Sequence, residues 1–287
     1  NNLPFLLPIE MIENDVSILK KLVTASRALA RIDGSIKKLP NPYMLVNTLA
    51  LQEAKTSVEI ENIFTTEDEL YKAISKTNEK KDPNPATKEV LRYREALWAG
   101  YNTLKNKELI DLELIVAIFQ QVKNSNAGIR PPQSKVHIKR GESEFRSGEI
   151  IYTPPHGDKV LNDLLLNLMD YLNDDEKYPT DPLLKMCVAH YQFEAIHPFS
   201  DGNGRTGRIL NLLYLTQKKL ISHPVLYLSK YIIQYKDNYY HNLGNVTKRG
   251  TWIEWVWFML DAVEKTATLT NVLINEILEQ MESTLLY

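Results

Sequence analysis

Between His197 and Arg208 the chain gathers an imidazole, a carboxylate, three glycines and two guanidiniums, a set suited to gripping phosphate and moving a proton beside it. Gly202-Asn203-Gly204 can take the positive φ values that turn successive amides toward one anion. A helix predicted from Arg205 to Lys219 starts at once and adds its unpaired N–H groups and its dipole to the same pocket. Arg205 and Arg208 are neighbours on its first turn, where two guanidiniums are unfavourable unless an anion lies between them. Asp201 is a hard oxygen ligand able to hold Mg2+ against phosphate oxygens. His197, closing the preceding helix, has the chemistry to take a proton from an incoming hydroxyl. Any one of these residues fits a surface capping loop with an ion pair; the whole set fits it poorly. The literal G-x-G-x-x-G of 202–207 is no dinucleotide fingerprint, because a helix precedes it and Tyr227, not an acid, follows about twenty residues on.

The rest of the chain reads as the helical frame that such a loop needs. Its 287 residues are 44% apolar and 24% charged, an ordinary globular composition. The net charge of −2 gives no reason to expect a nucleic-acid-binding surface. The single cysteine, Cys187, sits in an apolar run and points to a buried hydrophobe in a reducing compartment. No apolar run reaches the ~18 residues of a membrane span, and Asn1 to Phe5 lack the basic region of a signal peptide, so a cytoplasmic home is expected. Eleven glycines are few for the turns of an all-β or Rossmann sheet. Helical spacing predicts a helix from Asp15 to Ile32 that buries Val16, Leu19, Leu22, Val23, Leu29 and Ile32 and stops at Asp33-Gly34. Further helices are predicted over about Tyr43–Phe64, Pro85–Lys105, Asp111–Val122, Lys159–Leu172, Asp181–Ile196, Lys236–Leu243 and Trp252–Met281. Asn124 to Pro155, rich in glycine and proline, reads as one irregular hairpin with strands near Val136–Ile138 and Glu149–Thr153.

The run from His197 to Arg208 resembles the signature of the Fic (Fic/Doc) family, His-x-Phe-x-Asp/Glu-Gly-Asn-Gly-Arg-x-x-Arg, with every fixed position filled. The resemblance implies a mainly α fold, a Fic-type helical core with one small β-hairpin flap. It implies transfer of AMP from ATP to a Ser, Thr or Tyr hydroxyl of a target protein, or of the protein itself. By position, His197 is then the general base and Asp201 the Mg2+ ligand. Gly202, Asn203 and Gly204 form the anion nest, Phe199 anchors the loop, and Arg205 and Arg208 hold phosphates, Arg208 the γ-phosphate. Such chemistry asks the protein for in-line positioning and charge neutralisation rather than covalent help.

Upstream, Ser57-Val58-Glu59-Ile60-Glu61-Asn62 resembles the family's inhibitory-helix motif, Ser/Thr-x-x-x-Glu-Gly/Asn. Ser57 and Glu61 share a helix face, and the resemblance gives Glu61 a bidentate pair with Arg208 that would keep ATP in a non-productive pose. It implies three regions: 1–105 with the inhibitory helix at about 43–64, a Fic core over 106–260, and a C-terminal helix over 261–287. Glu149, Ile150, Ile151 and Tyr152 resemble the flap over the active site, whose strand edge could align a target segment. Gly128-Ile129-Arg130 and Val136-x-Ile138 resemble the run into it. Tyr239 and Tyr240 match a pair that lies near adenine in relatives, with Thr247 and Asn245 as alternative base contacts. His190 and the Trp252, Trp255, Trp257 cluster read as core, and no histidine or cysteine spacing suggests zinc. A winged-helix extension is not expected. Two alternatives stay open: removal of AMP from a modified protein by the same residues, and a nucleotide-sensing interaction module without turnover. The expected partner is a protein of unspecified identity; a homodimer is admissible, nucleic acid and membrane are not expected.

Overall fold

A computed structural model describes the chain except residues 1–2, 8, 40, 76–81, 135, 144–145 and 286–287, and except the side chains of 139–149, 282 and 284–285. Among the described residues the N-terminal part holds α1 (Glu10–Glu13), α2 (Val16–Ile36), α3 (Pro42–Ile60), α4 (Glu67–Ile74), α5 (Pro85–Lys107) and α6 (Leu112–Lys123). A two-stranded antiparallel hairpin follows, β1 (Ile138–Ser143) and β2 (Arg146–Tyr152). The chain ends with α7 (Asp158–Asn173), α8 (Pro182–Ile196), α9 (Asn203–Gln217), α10 (Leu228–Gln234), α11 (Lys236–Arg249) and α12 (Trp252–Leu285). The mainly α fold with one hairpin is the one expected.

Local chemistry starts these helices. Asp15 accepts from the backbone N–H groups of Ser17 and Ile18 at the head of α2, Asp111 caps α6, and Asp181 with Pro182 opens α8. Thr66 and Glu69 form a reciprocal capping box on α4. This short helix was not anticipated, although Thr-x-x-Glu was its signal; nor was α10, which carries no side-chain cap.

At the centre lie α8 and α9. Every residue of α8 from Leu183 to Ile196 is buried, as is most of α9. A helix covered on all sides must give each of its polar groups a partner or a task. Lys185 pairs with Asp175, Gln192 donates to the Pro4 carbonyl, and His190 is bonded on both ring nitrogens. Glu194 of α8 and Asn203, Arg205 and Arg208 of α9 line the site.

Several boundaries differ from expectation. The α2 helix passes Gly34 to end at Ile36, and it turns Ile18, Ala25, Ala28, Leu29 and Ile32 inward. It lies along α12, and the side that this leaves outside exposes Val16, Leu19 and Val23. The α3 helix stops at Ile60 instead of Phe64, and α11 runs on to Arg249. The strands extend further toward the turn, to Ser143 and from Arg146. One hydrophobic cluster links α2 and α3 to α8, α9 and α12, so the N-terminal helices share the core of the rest. The α12 helix runs unbroken through 260.

Candidate active site

The loop between α8 and α9 is clamped before it does any chemistry. His197 ends α8 in the left-handed conformation, φ 51°, with its N–H on the Phe193 carbonyl. Phe199 is fully buried and stacks on Phe119, centroids 3.9 Å apart. The Asn203 side chain accepts from Phe199 N–H at 2.9 Å and donates to Phe199 O at 2.8 Å, closing the loop. Arg130 supports it from below, donating to the His197 carbonyl at 2.8 Å and to the carbonyls of Ser134, Pro155 and Ile196.

The α9 helix begins at Asn203, two residues earlier than predicted, because Gly202 at φ 77° serves as its N-cap. The first N–H groups of α9 therefore face the loop mouth. The expectation of positive φ at both glycines holds at Gly202 alone. Gly204 lies inside the helix, and its missing side chain has another cause: a Cβ there would stand 2.9 Å from Arg208 Nη1 and 3.0 Å from Glu61 Oε1.

That crowding is the central ion pair. Arg208, buried, donates from Nη2 to Glu61 Oε1 at 3.0 Å and to Ser57 O at 2.8 Å, and from Nε to Ser57 Oγ at 2.7 Å. Arg205 Nε lies 2.7 Å from Glu61 Oε2, off line for a hydrogen bond, while its Nη1 donates to Glu89 of α5. Glu61 thus bridges two arginines with one oxygen each, in place of the bidentate grip on Arg208 alone that was expected. The residue sits just past the helix. Asn62 takes φ 62°, its N–H bonds Glu59 O at 2.9 Å, and Ile63 N–H bonds Val58 O at 3.3 Å, the two bonds of a Schellman turn with Glu61 as C-cap. The Gly/Asn place after the glutamate thus has a physical reason, since these residues tolerate the left-handed turn.

Glu61, Gly204, Arg205 and Arg208 line one cavity of about 630 Å3 that also takes in Tyr239, Tyr240, Ile151 and Tyr152. Tyr239 is buried and its hydroxyl is 2.8 Å from His190 Nε2, whereas Tyr240 is partly exposed. Thr247 bonds the Tyr191 hydroxyl and Asn245 bonds His241, so both candidate base contacts are engaged with neighbours. On the flap, Tyr152 donates to Ala195 O at 2.9 Å and Ile150 is exposed; the Glu149 side chain lies outside the described residues.

Burial holds the His197 imidazole down at about 4, against a weaker raising effect of its hydrogen bond to Glu194, so it is neutral near pH 7. Its Nδ1 is 3.3 Å from the Glu194 carbonyl, which fixes the proton there and leaves Nε2 as the basic nitrogen. The Glu194 side chain was not anticipated. It is 8% exposed, lines the cavity, has an Oε1 without a hydrogen-bond partner, and is pushed up to about 7 by burial. Its place three residues before His197 was the only sequence signal. Glu89 and Lys123 were missed because their partners come from distant helices.

Residues 19–102 match the family model Fic/DOC family N-terminal, and residues 109–215 match Fic/DOC family. The chain belongs to the Fic/DOC family. Protein adenylyltransferase Fic of Aedes aegypti is 33% identical over 129 residues, 44% of this chain and 24% of that protein. Protein adenylyltransferase fic-1 of Caenorhabditis briggsae is 42% identical over 65 residues, 22% of this chain and 13% of that one. The chain thus spans a quarter or less of these two curated relatives. A Fic family protein from Desulfovibrio desulfuricans superposes with a TM-score of 0.69 at 21% identity, covering 88% of this chain and 73% of that one. A Fic domain containing signaling protein from Bacteroides thetaiotaomicron gives 0.67 at 16%, covering 88% and 97%. Both share the Fic/DOC fold.

The residues present suit a nucleotide triphosphate. An N-terminal helix turn free of side-chain bulk at Gly202 and Gly204 meets two buried guanidiniums. Asp201, an exposed carboxylate at the mouth that pairs with Lys123, has the oxygen chemistry for Mg2+ held jointly with phosphate oxygens. Among the described residues no cluster of three His, Cys, Asp or Glu could hold a metal by itself. No helix among them is long and apolar enough to cross a membrane.

Proposed function

We propose that the protein transfers AMP from ATP to a hydroxyl of a protein side chain and that Glu61 holds it inhibited. The observation that carries this reading is Glu61 lodged between Arg205 and Arg208 at the N-terminus of α9, where a polyphosphate would lie. A carboxylate there mimics the charge of a terminal phosphate and takes up the forked donors that would grip one.

With Glu61 withdrawn, Arg208 turns its Nη2 to the γ-phosphate, and Arg205 stays tied to Glu89. The N–H groups at the start of α9 bind the phosphate chain. The target hydroxyl oxygen attacks the α-phosphorus, the bond to the β-phosphate oxygen breaks, and pyrophosphate leaves with that electron pair. The proton of the hydroxyl passes to His197 Nε2, the nitrogen left basic by the Nδ1 contact with the Glu194 carbonyl. Mg2+ held by Asp201 would neutralise phosphate charge. The outer edge of β2 in the two-stranded hairpin offers main-chain pairing to the target segment.

Incubation with α-labelled ATP tests the reading. Glu61→Gly should raise label on the protein or a partner by about 5- to 150-fold, the range of a 1–3 kcal/mol coupling. His197→Ala in that background should abolish it. Absence of label in Glu61→Gly with Mg2+ or Mn2+ removes the transferase claim; equal label with and without Glu61 removes the inhibitory one.

A further inference from the structure

Lys123 stands at the mouth of this cavity, and no motif draws attention to it. It is the last residue of α6, and its origin is pinned. Asn124 caps the helix in the left-handed conformation, and Phe119, one turn back, stacks on Phe199 of the loop. The lysine stem crosses the loop so closely that a Cβ on Gly202 would stand 3.1 Å from its Cδ. Its Nζ reaches Asp201 Oδ2 at 2.5 Å, while Asp201 Oδ1 accepts from Gly202 N–H at 2.6 Å.

The position sets a conflict. An ammonium rests on the carboxylate that a divalent cation would need, and the two cations repel when they share it. The buried arginines have deep partners in Glu61, Glu89 and Ser57, whereas the Asp201 side chain is 64% exposed and easily reached by another cation. Displaced from Asp201, the ammonium is still tethered over Gly202 at the N-terminus of α9. Lysine suits such a move, a point charge on a flexible stem whose base stays fixed.

We propose that Lys123 is a further nucleotide-binding residue, which neutralises Asp201 in the empty site and passes to a phosphate oxygen when a divalent cation takes Asp201. This rests on the triphosphate reading above. It differs from a bland surface ion pair in sign: a lysine that only guarded Asp201 would hinder loading, and its removal would leave metal-nucleotide binding unchanged or improved.

Calorimetry on the full chain with Glu61→Gly and His197→Ala, in which no transfer occurs, separates the two. Adding Lys123→Met should weaken binding of Mg2+·ATP about tenfold, the loss of one charge-assisted hydrogen bond. ATP in excess chelator should lose less, because there Lys123 remains on Asp201. Mn2+ alone, followed by electron paramagnetic resonance, should bind the Lys123→Met protein several-fold more tightly. Lys123→Arg should keep Mg2+·ATP affinity within about threefold of the parent, a charge-retaining variant that serves as readout if the methionine variant melts early. Unchanged or tighter Mg2+·ATP binding in Lys123→Met overturns the proposal, as does unchanged Mn2+ binding. A parent that binds no ATP overturns the triphosphate reading with it, whereas a parent that binds ATP while its His197-containing form transfers nothing sinks only the transferase reading.

Discussion

Two helix ends meet in the cavity, and each carries the wrong charge for itself. The first turns of α9 hold Arg205 and Arg208 at the positive end of a helix dipole, and the C-cap of α3 holds Glu61 at the negative end of another. Alone, each arrangement costs about 0.3–1 kcal/mol per charge. Brought together, the carboxylate and the guanidiniums cancel the misfit, and both helix ends are made by left-handed residues, Gly202 and Asn62. The α9 end is the more deeply built. Its arginines are buried, and Asn203, Phe199 and Arg130 clamp the loop around it. The α3 end rests on one turn, with Glu61 partly open and Asn62 accepting from Lys236 at 3.1 Å. On the reading proposed above, the carboxylate, carried by a single turn although paired with both arginines, is the part that yields.

The comparison breaks most severely on the α9 side. Arg208→Gln in the Glu61→Gly background should lower transfer by about 10^3, the scale of a lost donor to developing charge. In the wild-type background it should cost about 1.5–3 kcal/mol of stability, because Glu61 keeps Arg205 but loses Arg208 and the Ser57 bonds go with it, read as a fall in the chemical-denaturation midpoint. Glu194 sharpens the contrast, a carboxylate of the same cavity without an arginine's hydrogen bond. Its folded pKa of about 7 lies above its ordinary 4.5, so the folded state holds the proton more tightly. That stability is complete below about pH 4.5 and is lost as pH rises through 7. Glu194→Gln cannot ionise, so relative to wild type it should gain on the order of 2–3 kcal/mol between pH 5 and pH 8; parallel denaturation curves at the two pH values would contradict this. The smallest effect belongs to the α3 turn. Asn62→Ala keeps a Cβ in the left-handed region but loses the amide that eases it there and accepts from Lys236, at about 1 kcal/mol, and labelling should rise about fivefold as Glu61 loosens. Asn62→Gly should leave it unchanged.

Much of this site was legible along the chain. His197, Asp201, the glycines and both arginines are contiguous, so their spacing alone puts them around one helix start. Ser57 and Glu61 were legible as a motif, and the helix around them by its period. The exact end of α3 was not, because a single left-handed asparagine, not the hydrophobic pattern, stops it. The buried side of α2 was misjudged for a related reason. Its sequence allows more than one apolar stripe, and the packing of α12 selects which is covered.

From the sequence by itself come the mainly helical class and the expectation of phosphate chemistry at 197–208, which depend on residues close in the chain, while the expectation of a glutamate opposite Arg208 came through the family resemblance. The tertiary structure alone decided that Glu61 divides its oxygens between two arginines, that Glu89 holds one of them, that Gly204 is small to let the pair pass, and that Lys123 lies on Asp201. These contacts join helices far apart in sequence, and no local propensity encodes a distance between side chains that meet only when the core has packed.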